Sequence, residues 1–186
     1  MNVDEFFDRY EATERVFSES LLRDAKFQDR VLEDVFLDRS DLCFAEFRRS
    51  KLTSVDLSRS DLRGSKFVLV EFEDCDLSHT KFNKSSFREV TFEKANLDEA
   101  CFEESQFAGV EFKTVDLRKT CFVRSRFHAS DFEGSDLSYA DLSLSQFNAT
   151  SLRGANLSHA NLQGASLRQI DLSQCDLSYA NRLFGV

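Results

Sequence analysis

From Phe17 to Leu177 every fifth residue is leucine or phenylalanine, without a gap in 33 positions. A helix repeats near 3.6 residues and a strand at 2, so this spacing belongs to neither. A period of five implies short straight segments joined by corners, each segment aiming one large apolar side chain inward. The run ends at position 182, where the frame meets Arg182. A second register lies two residues before each large residue. It reads Ala155, Ala160, Ala165 near the end and Val110, Val115, Thr120 in the middle. Between 20 and 180 it is small or β-branched everywhere except Arg30. The repeat is small, polar, Leu/Phe, polar, polar.

Internal periods above five decide how the segments stack. With a 20-residue coil, positions 17, 37 and onward to 177 form a column of one Phe and eight Leu, and positions 27, 47 and onward to 167 one of seven Phe and one Leu. A 15-residue coil would give columns with 5, 4 and 6 Phe of 11 each, which segregates nothing. Four pentads per coil is the better account. Coils ~4.8 Å apart would satisfy one another's backbone and make a rod of ~40 Å. Small residues leave room for the four large side chains of each layer. Five of the six glycines (64, 109, 134, 154, 164) fall two residues after the large one. A corner there accepts positive φ. Most corners lack glycine, so the sequence predicts several turn types.

ANLSH (155–159), ANLQG (160–164), CDLSY (175–179) and VDLSR (55–59) fit the pattern A(D/N)LXX. The chain thereby resembles the pentapeptide-repeat family over about residues 15–181. The resemblance implies an all-β fold, a right-handed quadrilateral parallel β-helix of about eight coils with four pentapeptides in each. The expected organisation is a capping segment over 1–14, the β-helix over 15–181 and a tail over 182–186.

Residues 2–13, NVDEFFDRYEAT, break the pattern. Val3, Phe6, Phe7 and Tyr10 form an i, i+3, i+4, i+7 stripe, and Asn2 with Glu5 reads as a helix N-cap. A short amphipathic helix is expected to cover the first coil and its open edge. At the other end only SYANRLFGV follows Leu177, with Leu183 and Phe184 as its apolar pair. That is too little for a substantial helix, and it predicts a two-fold homodimer through the C-terminal coil, contacting at Leu183 and Phe184.

The start lacks a basic leader and a long apolar run, and no window reaches a membrane span, so the chain reads as cytoplasmic and free of membrane. Net charge is −9, which disfavours direct nucleic-acid binding. His79, His128 and His159 converge on no carboxylate set, no Gly-rich phosphate loop exists, and a filled coil leaves no pocket. The expectation is no enzyme, no catalytic residue, no metal and no cofactor.

The square frame assigns each outward residue to a face. Faces A to D are centred on 17, 22, 27 and 32 and their 20-residue repeats. Face A is net −5 and includes Asp56, Asp76, Asp116, Asp136 and Asp176. Face D is net −6 and includes Glu71, Glu73, Glu93, Glu111, Asp131 and Glu133. Face B is net −1 and face C net +4, with Lys26, Arg48, Arg49, Lys66, Arg88, Arg126 and Arg168. Faces D and A adjoin, giving one acidic side. Charges keep a rod soluble, and Asp or Asn before the central Leu also satisfies corner backbone. The functional expectation is a non-enzymatic interaction rod of unknown partner, using these acidic faces. The alternative comes from the resemblance: some bacterial members bind DNA gyrase and protect it from quinolones or peptide toxins, which would make the acidic side a DNA mimic. Against that, this chain lacks the longer C-terminal segment and interrupting loop of several such relatives, and face C is basic.

Cys101 and Cys121 are 20 apart, so they stack ~4.8 Å apart, within disulfide range. Free thiols in a reducing cytoplasm are the competing reading. Cys75 and Cys175 occupy the small inward register as core filler. Tyr139, His159 and Tyr179 share one outward column, and Val68 and Leu69 lie among the arginines of face C.

Overall fold

The computed structural model describes residues 1–181. It is a parallel β-solenoid with one short helix, α1 (Val3–Glu11), ahead of the coils. Eight strands are labelled β1 (Lys26–Gln28), β2 (Val31–Glu33), β3 (Glu46–Thr53), β4 (Lys66–Glu73), β5 (Ser86–Glu93), β6 (Gln106–Ala108), β7 (Arg126–His128) and β8 (Gln146–Asn148). All lie on faces C and D. Faces A and B, and the later part of face D, are held by isolated parallel bridges.

Every pairing steps by 20 residues. Phe27 faces Phe47, Phe47 faces Phe67, and Phe67 faces Phe87. On face A the bridges run from Val16 through Phe36, Asp56 and Asp76 to Asp176, one residue per coil. The four-pentad coil expected from the Leu and Phe columns is therefore the observed one.

Phenylalanine repeats at 20 residues because its rings stack between coils. From Phe27 to Phe147 seven rings form one ladder, with centroids 4.5 to 5.1 Å apart and planes within 18°. Phe72, Phe92, Phe112 and Phe132 form a second, and Phe82, Phe102 and Phe122 a third. The ladders meet edge to face, as at Phe107 and Phe112 with centroids 5.7 Å apart. Offset and edge contacts of this kind add ~0.5–1.5 kcal/mol per pair beyond area burial.

Inward serines and threonines close their own hydrogen bonds. Ser85 Oγ donates to Leu62 O at 2.9 Å and accepts the Ser65 N–H at 3.1 Å. Ser60 and Thr80 donate likewise to Leu37 and Leu57. A hydroxyl is thus as acceptable as a methyl in the small register, and no buried side-chain N or O among the described residues lacks a partner.

From residue 19 to 169 every corner has positive φ two residues after the large one, whatever the side chain there. Arg39, Leu69, Tyr139 and Ala149 all adopt it, although this region costs a non-glycine residue ~1–2 kcal/mol. Stacking fixes the corner and overrides local preference. Two corner classes exist, divided by hydrogen bonding rather than by the sign of φ. After Leu22, Leu57 and Leu137 the next small residue donates back to the large residue's carbonyl, giving a type II turn. After Phe27, Phe107, Phe127 and Phe147 on face C no such bond forms among the described residues. At Gly64 and Gly164 a Cβ would meet the exposed Phe44 ring at 2.6 Å and Leu144 at 2.8 Å, so any other residue there would push those side chains aside.

Helix α1 lies over the first coil. Asn2 accepts the Glu5 N–H at 2.8 Å, the N-cap expected from sequence. Phe6 is fully buried and sits 4.5 Å from Phe17 and 5.7 Å from Phe27. Tyr10 Oη accepts the Glu33 N–H at 3.1 Å, closing a donor of the first coil's edge. Arg30, the exception in the small register, belongs to this cap: its guanidinium lies 4.1 Å over the Phe7 ring.

Candidate partner-binding surface

With the inward positions filled, chemistry is left to the three outward positions of each pentad. The ten acidic residues expected to form a partner surface divide into two kinds. Asp56, Asp76, Asp116 and Asp136 lie in the bridge column of face A, and each accepts the N–H two residues on, at 2.8, 3.0, 3.2 and 3.0 Å. Asp131 on face D does the same for Glu133 at 2.9 Å. These five support corners as well as carrying charge. A carboxylate or a carboxamide does that equally, and Asn96 and Asn156 occupy the same column, each donating to the aspartate one coil before.

Glu71, Glu73, Glu93, Glu111 and Glu133 have no such backbone duty among the described residues. They surround a change in the path of face D. At the corners after Leu32, Leu52, Phe72 and Phe92 no turn bond forms among the described residues; after Phe112 one does, Val115 N–H reaching Phe112 O at 3.2 Å. Beside this change the ladder stretches. Leu97 N–H to Asp116 O is 3.4 Å, whereas Leu77 to Asn96 and Leu117 to Asp136 are both 2.8 Å. An open groove of about 470 Å³ lies there, lined by Lys51, Glu71, Glu73, Glu93, Glu111 and Lys113 among others.

The bases of face D are engaged within it. Lys51 Nζ is 2.7 Å from Glu73 and 4.0 Å from Glu71, and Lys113 Nζ is 3.0 Å from Asp131. Lys94 lies 3.9 Å from both Asp74 and Glu93, and Arg153 is 4.0 Å from Glu133. The Lys51 ammonium holds Glu73 below the ordinary carboxylate range, and the Asp131 carboxylate raises Lys113. Glu111 makes no ion pair among the described residues. On face A, Arg118 forks onto Asp116 and holds it down. The acidic side keeps an excess of acid after these pairs are counted. Its pairs are solvent-exposed, so each is worth little by itself and weakens with salt.

Face C carries an open groove of about 510 Å³ along its strands, and on this face Arg48, Arg88 and Arg126 form no ion pair among the described residues, while Arg49 is taken up by Asp29 and Lys66 by Glu46. Val68 and the exposed Leu69 sit between them. Tyr139, His159 and Tyr179 do stack, with centroids 4.6 and 4.8 Å apart and planes within 12°. The histidines stay apart: His79 Nδ1 is 3.2 Å from Glu99, and His128 lies 3.4 Å from Asn148. Among the described residues no group of three or more His, Cys, Asp or Glu is placed to hold a metal ion. None of their helices is long and apolar enough to cross a membrane. Cys101 and Cys121 are neighbours across a bridge and both are free thiols. Leu183 and Phe184, expected at a dimer contact, lie outside the described residues.

The fold and its repeat agree with comparisons to known families. The model of the pentapeptide repeat region matches residues 65–142 and 102–182, and that of pentapeptide repeats (8 copies) matches 20–59 and 32–68. The chain belongs to the pentapeptide-repeat family. No protein of curated function matches it significantly. Among solved structures it is similar to HetL, a pentapeptide repeat protein involved in heterocyst differentiation regulation from the cyanobacterium Nostoc sp. strain PCC 7120. That likeness covers 97% of this chain and 92% of HetL, at 21% identity and a TM-score of 0.54. A trypsin-treated variant of QnrB1, a plasmid-mediated fluoroquinolone resistance protein, is similar over 89% of this chain and 88% of its own, at 19% identity and a TM-score of 0.48. At such identities the likeness is one of fold.

Sequence reasoning missed three features of the surface. The groove on face D lies beside a change of corner hydrogen bonding that no residue type announces. Cys43, in an outward position, is buried at 2% exposure, and burial with the neighbouring Asp61 and Asp41 pushes its thiol up to about 12. Phe44 lies along the glycine corner beneath Arg23, whose guanidinium is 5.1 Å from its ring. The pairing of a large apolar corner residue with glycine 20 residues later, Phe44 with Gly64 and Leu144 with Gly164, is the signal that could have found it.

Proposed function

We propose that this chain is a non-enzymatic protein-interaction rod whose partner docks on the acidic side formed by faces D and A. The observation that carries the reading is the groove on face D, where Glu71, Glu73, Glu93 and Glu111 gather with acid in excess of base. Complementary charge on a basic partner would steer association and fix its register along the rod. The test compares partners captured by wild type with those captured by a Glu73→Lys, Glu93→Lys, Glu133→Lys variant, with circular dichroism to check the fold. The reading expects a protein captured by wild type and lost in the folded variant. Identical captures would overturn it.

A second reading makes the rod a DNA mimic that binds DNA gyrase. The observation favouring it is the unbroken Asp/Asn column of face A from Asp56 to Asp176, one group per coil. Charge density weighs against it. Duplex DNA carries about one charge per 1.7 Å, hence roughly 24 over ~40 Å. Faces A and D together carry −11, less than half of that. A gyrase supercoiling assay with and without ciprofloxacin separates the two readings: inhibition or protection at micromolar concentration supports mimicry, and neither effect removes it.

A homodimer through the C-terminal coil remains part of the proposal. Leu167, Ile170, Leu172 and Leu177 are only half-buried there, an apolar floor suited to a second copy. Light scattering that reads a monomer at micromolar concentration would sink it.

A further inference from the structure

Face B holds two cysteines in one column whose surroundings are unlike. Cys101 and Cys121 pair with each other across a parallel bridge, and both are half-buried. The other bridge partner of Cys101 is Lys81, and Asn83 Nδ2 donates to its sulfur at 3.3 Å. The other bridge partner of Cys121 is Asp141, and the position equivalent to Asn83, 18 residues before it, is Glu103. Each thiol has a carboxylate nearby, Glu103 for Cys101 and Asp141 for Cys121, but among the described residues Cys101 alone of the two receives an amide donor on its sulfur. Positive and donor-rich surroundings favour thiolate, and negative ones oppose it.

We propose that Cys101 and Cys121 form a hydroperoxide-sensitive dithiol, with Cys101 the attacking sulfur and Cys121 the resolving one, whose product is a disulfide linking two adjacent coils. Cys101 lines an open groove with Lys81, Asn83, Lys84 and Glu103, so a small oxidant reaches it from solvent. Its thiolate attacks one peroxide oxygen; the S–O bond forms, the O–O bond breaks, and the leaving hydroxide takes a proton to become water. Cys121 sulfur then attacks the sulfenic sulfur. The S–S bond forms, the S–O bond breaks, and the departing hydroxyl leaves as a second water with the Cys121 proton. Two thiols and one hydrogen peroxide give one disulfide and two waters. Parallel neighbours ~4.8 Å apart are within the Cα separation that a disulfide spans.

The thiol environments point the same way. The facing Cys121 thiol holds Cys101 down against burial and the Glu103 carboxylate, with the Glu103 N–H and Asn83 helping. Cys121 is pushed up by Cys101 and by burial. Burial sends the other way the inward Cys75, to about 11, and Cys175, whose sulfur donates to Leu152 O at 2.9 Å. These thiols are internal controls.

The test treats the reduced full chain with increasing hydrogen peroxide and reads intact mass and peptide maps without reductant. Wild type is expected to lose two hydrogens and yield a Cys101–Cys121 crosslinked peptide before Cys43, Cys75 or Cys175 is oxidised. In Cys121→Ser, dimedone should trap a sulfenic acid on Cys101; in Cys101→Ser the same dose should leave Cys121 unlabelled. If either variant misfolds by circular dichroism, iodoacetamide labelling of wild type near pH 6.5 decides instead, with Cys101 expected at least ~10-fold ahead of Cys175. No crosslink at doses that oxidise Cys175, or labelling of Cys121 ahead of Cys101, would overturn the proposal.

Discussion

The first and last coils use the same register of large and small residues and are covered differently. Phe17 and Leu22 in the first coil are each 2% exposed, with Phe6 lying against Phe17. In the last coil Leu167, Leu172 and Leu177 contact the core from one side and stay half-buried. A pentad supplies its large side chain but does not bury it; the coil or helix beyond does. The stability of such an array therefore rests on its interfaces, and an end is only as stable as what lies on it.

The largest effect is expected between two covered layers. Phe107 touches Phe87 and Phe127 face to face and Phe112 edge-on, so Phe107→Ala should cost ~3–5 kcal/mol by denaturant unfolding. An unchanged unfolding curve would take Phe107 out of the core. Removing the cap should come next. Phe6→Ala should cost about 3 kcal/mol, and Leu172→Ala at the opposite end about 1 kcal/mol or less, since part of that side chain already meets water. Equal costs at Phe6 and Leu172 would erase the contrast between the ends.

In the capped half acid should act through two aspartates. Arg49, with Gln28, holds Asp29 down to about 2, and Arg63 brings Asp61 to about 2 although desolvation opposes it. Both folded values lie below the ~3.9 of an unfolded aspartate. Their stabilisation is complete above about pH 4 and is lost as pH falls through 2. Thermal melts should fall across that window, and less steeply for Asp29→Asn with Asp61→Asn. The smallest effect is at corners. Ala129→Gly relieves a positive φ but frees the unfolded chain, so the net change should stay within ~0.5 kcal/mol.

The inward half of this molecule was legible because it repeats. The five-residue frame, the 20-residue columns, the Asn2 cap and the Tyr139–His159–Tyr179 stack follow from spacing alone. The corners were less so. Scarce glycine predicts several turn types; two hydrogen-bonding classes exist, yet every corner from 19 to 169 shares positive φ because stacking imposes it on arginine and tyrosine as readily as on glycine. The outward acids were placed on their faces by the square frame. What they do there was not in the spacing: Asp56 and Asp136 hold corner N–H groups, whereas Glu73 pairs with Lys51. Arg30 is an exception that spacing leaves unexplained; α1 supplies the ring it covers.

Hydrogen exchange read by mass spectrometry tests the contrast between the ends most directly. The Phe17 and Leu22 N–H groups each donate to the next coil at 2.7 Å, while those of Leu172 and Tyr179 have no backbone acceptor among the described residues. At a dilution where light scattering reads a monomer, amides at 172 and 179 should exchange orders of magnitude faster than those at 17 and 22. Phe6→Ala should narrow the difference. Equal protection of the two ends in the wild-type monomer would contradict the account.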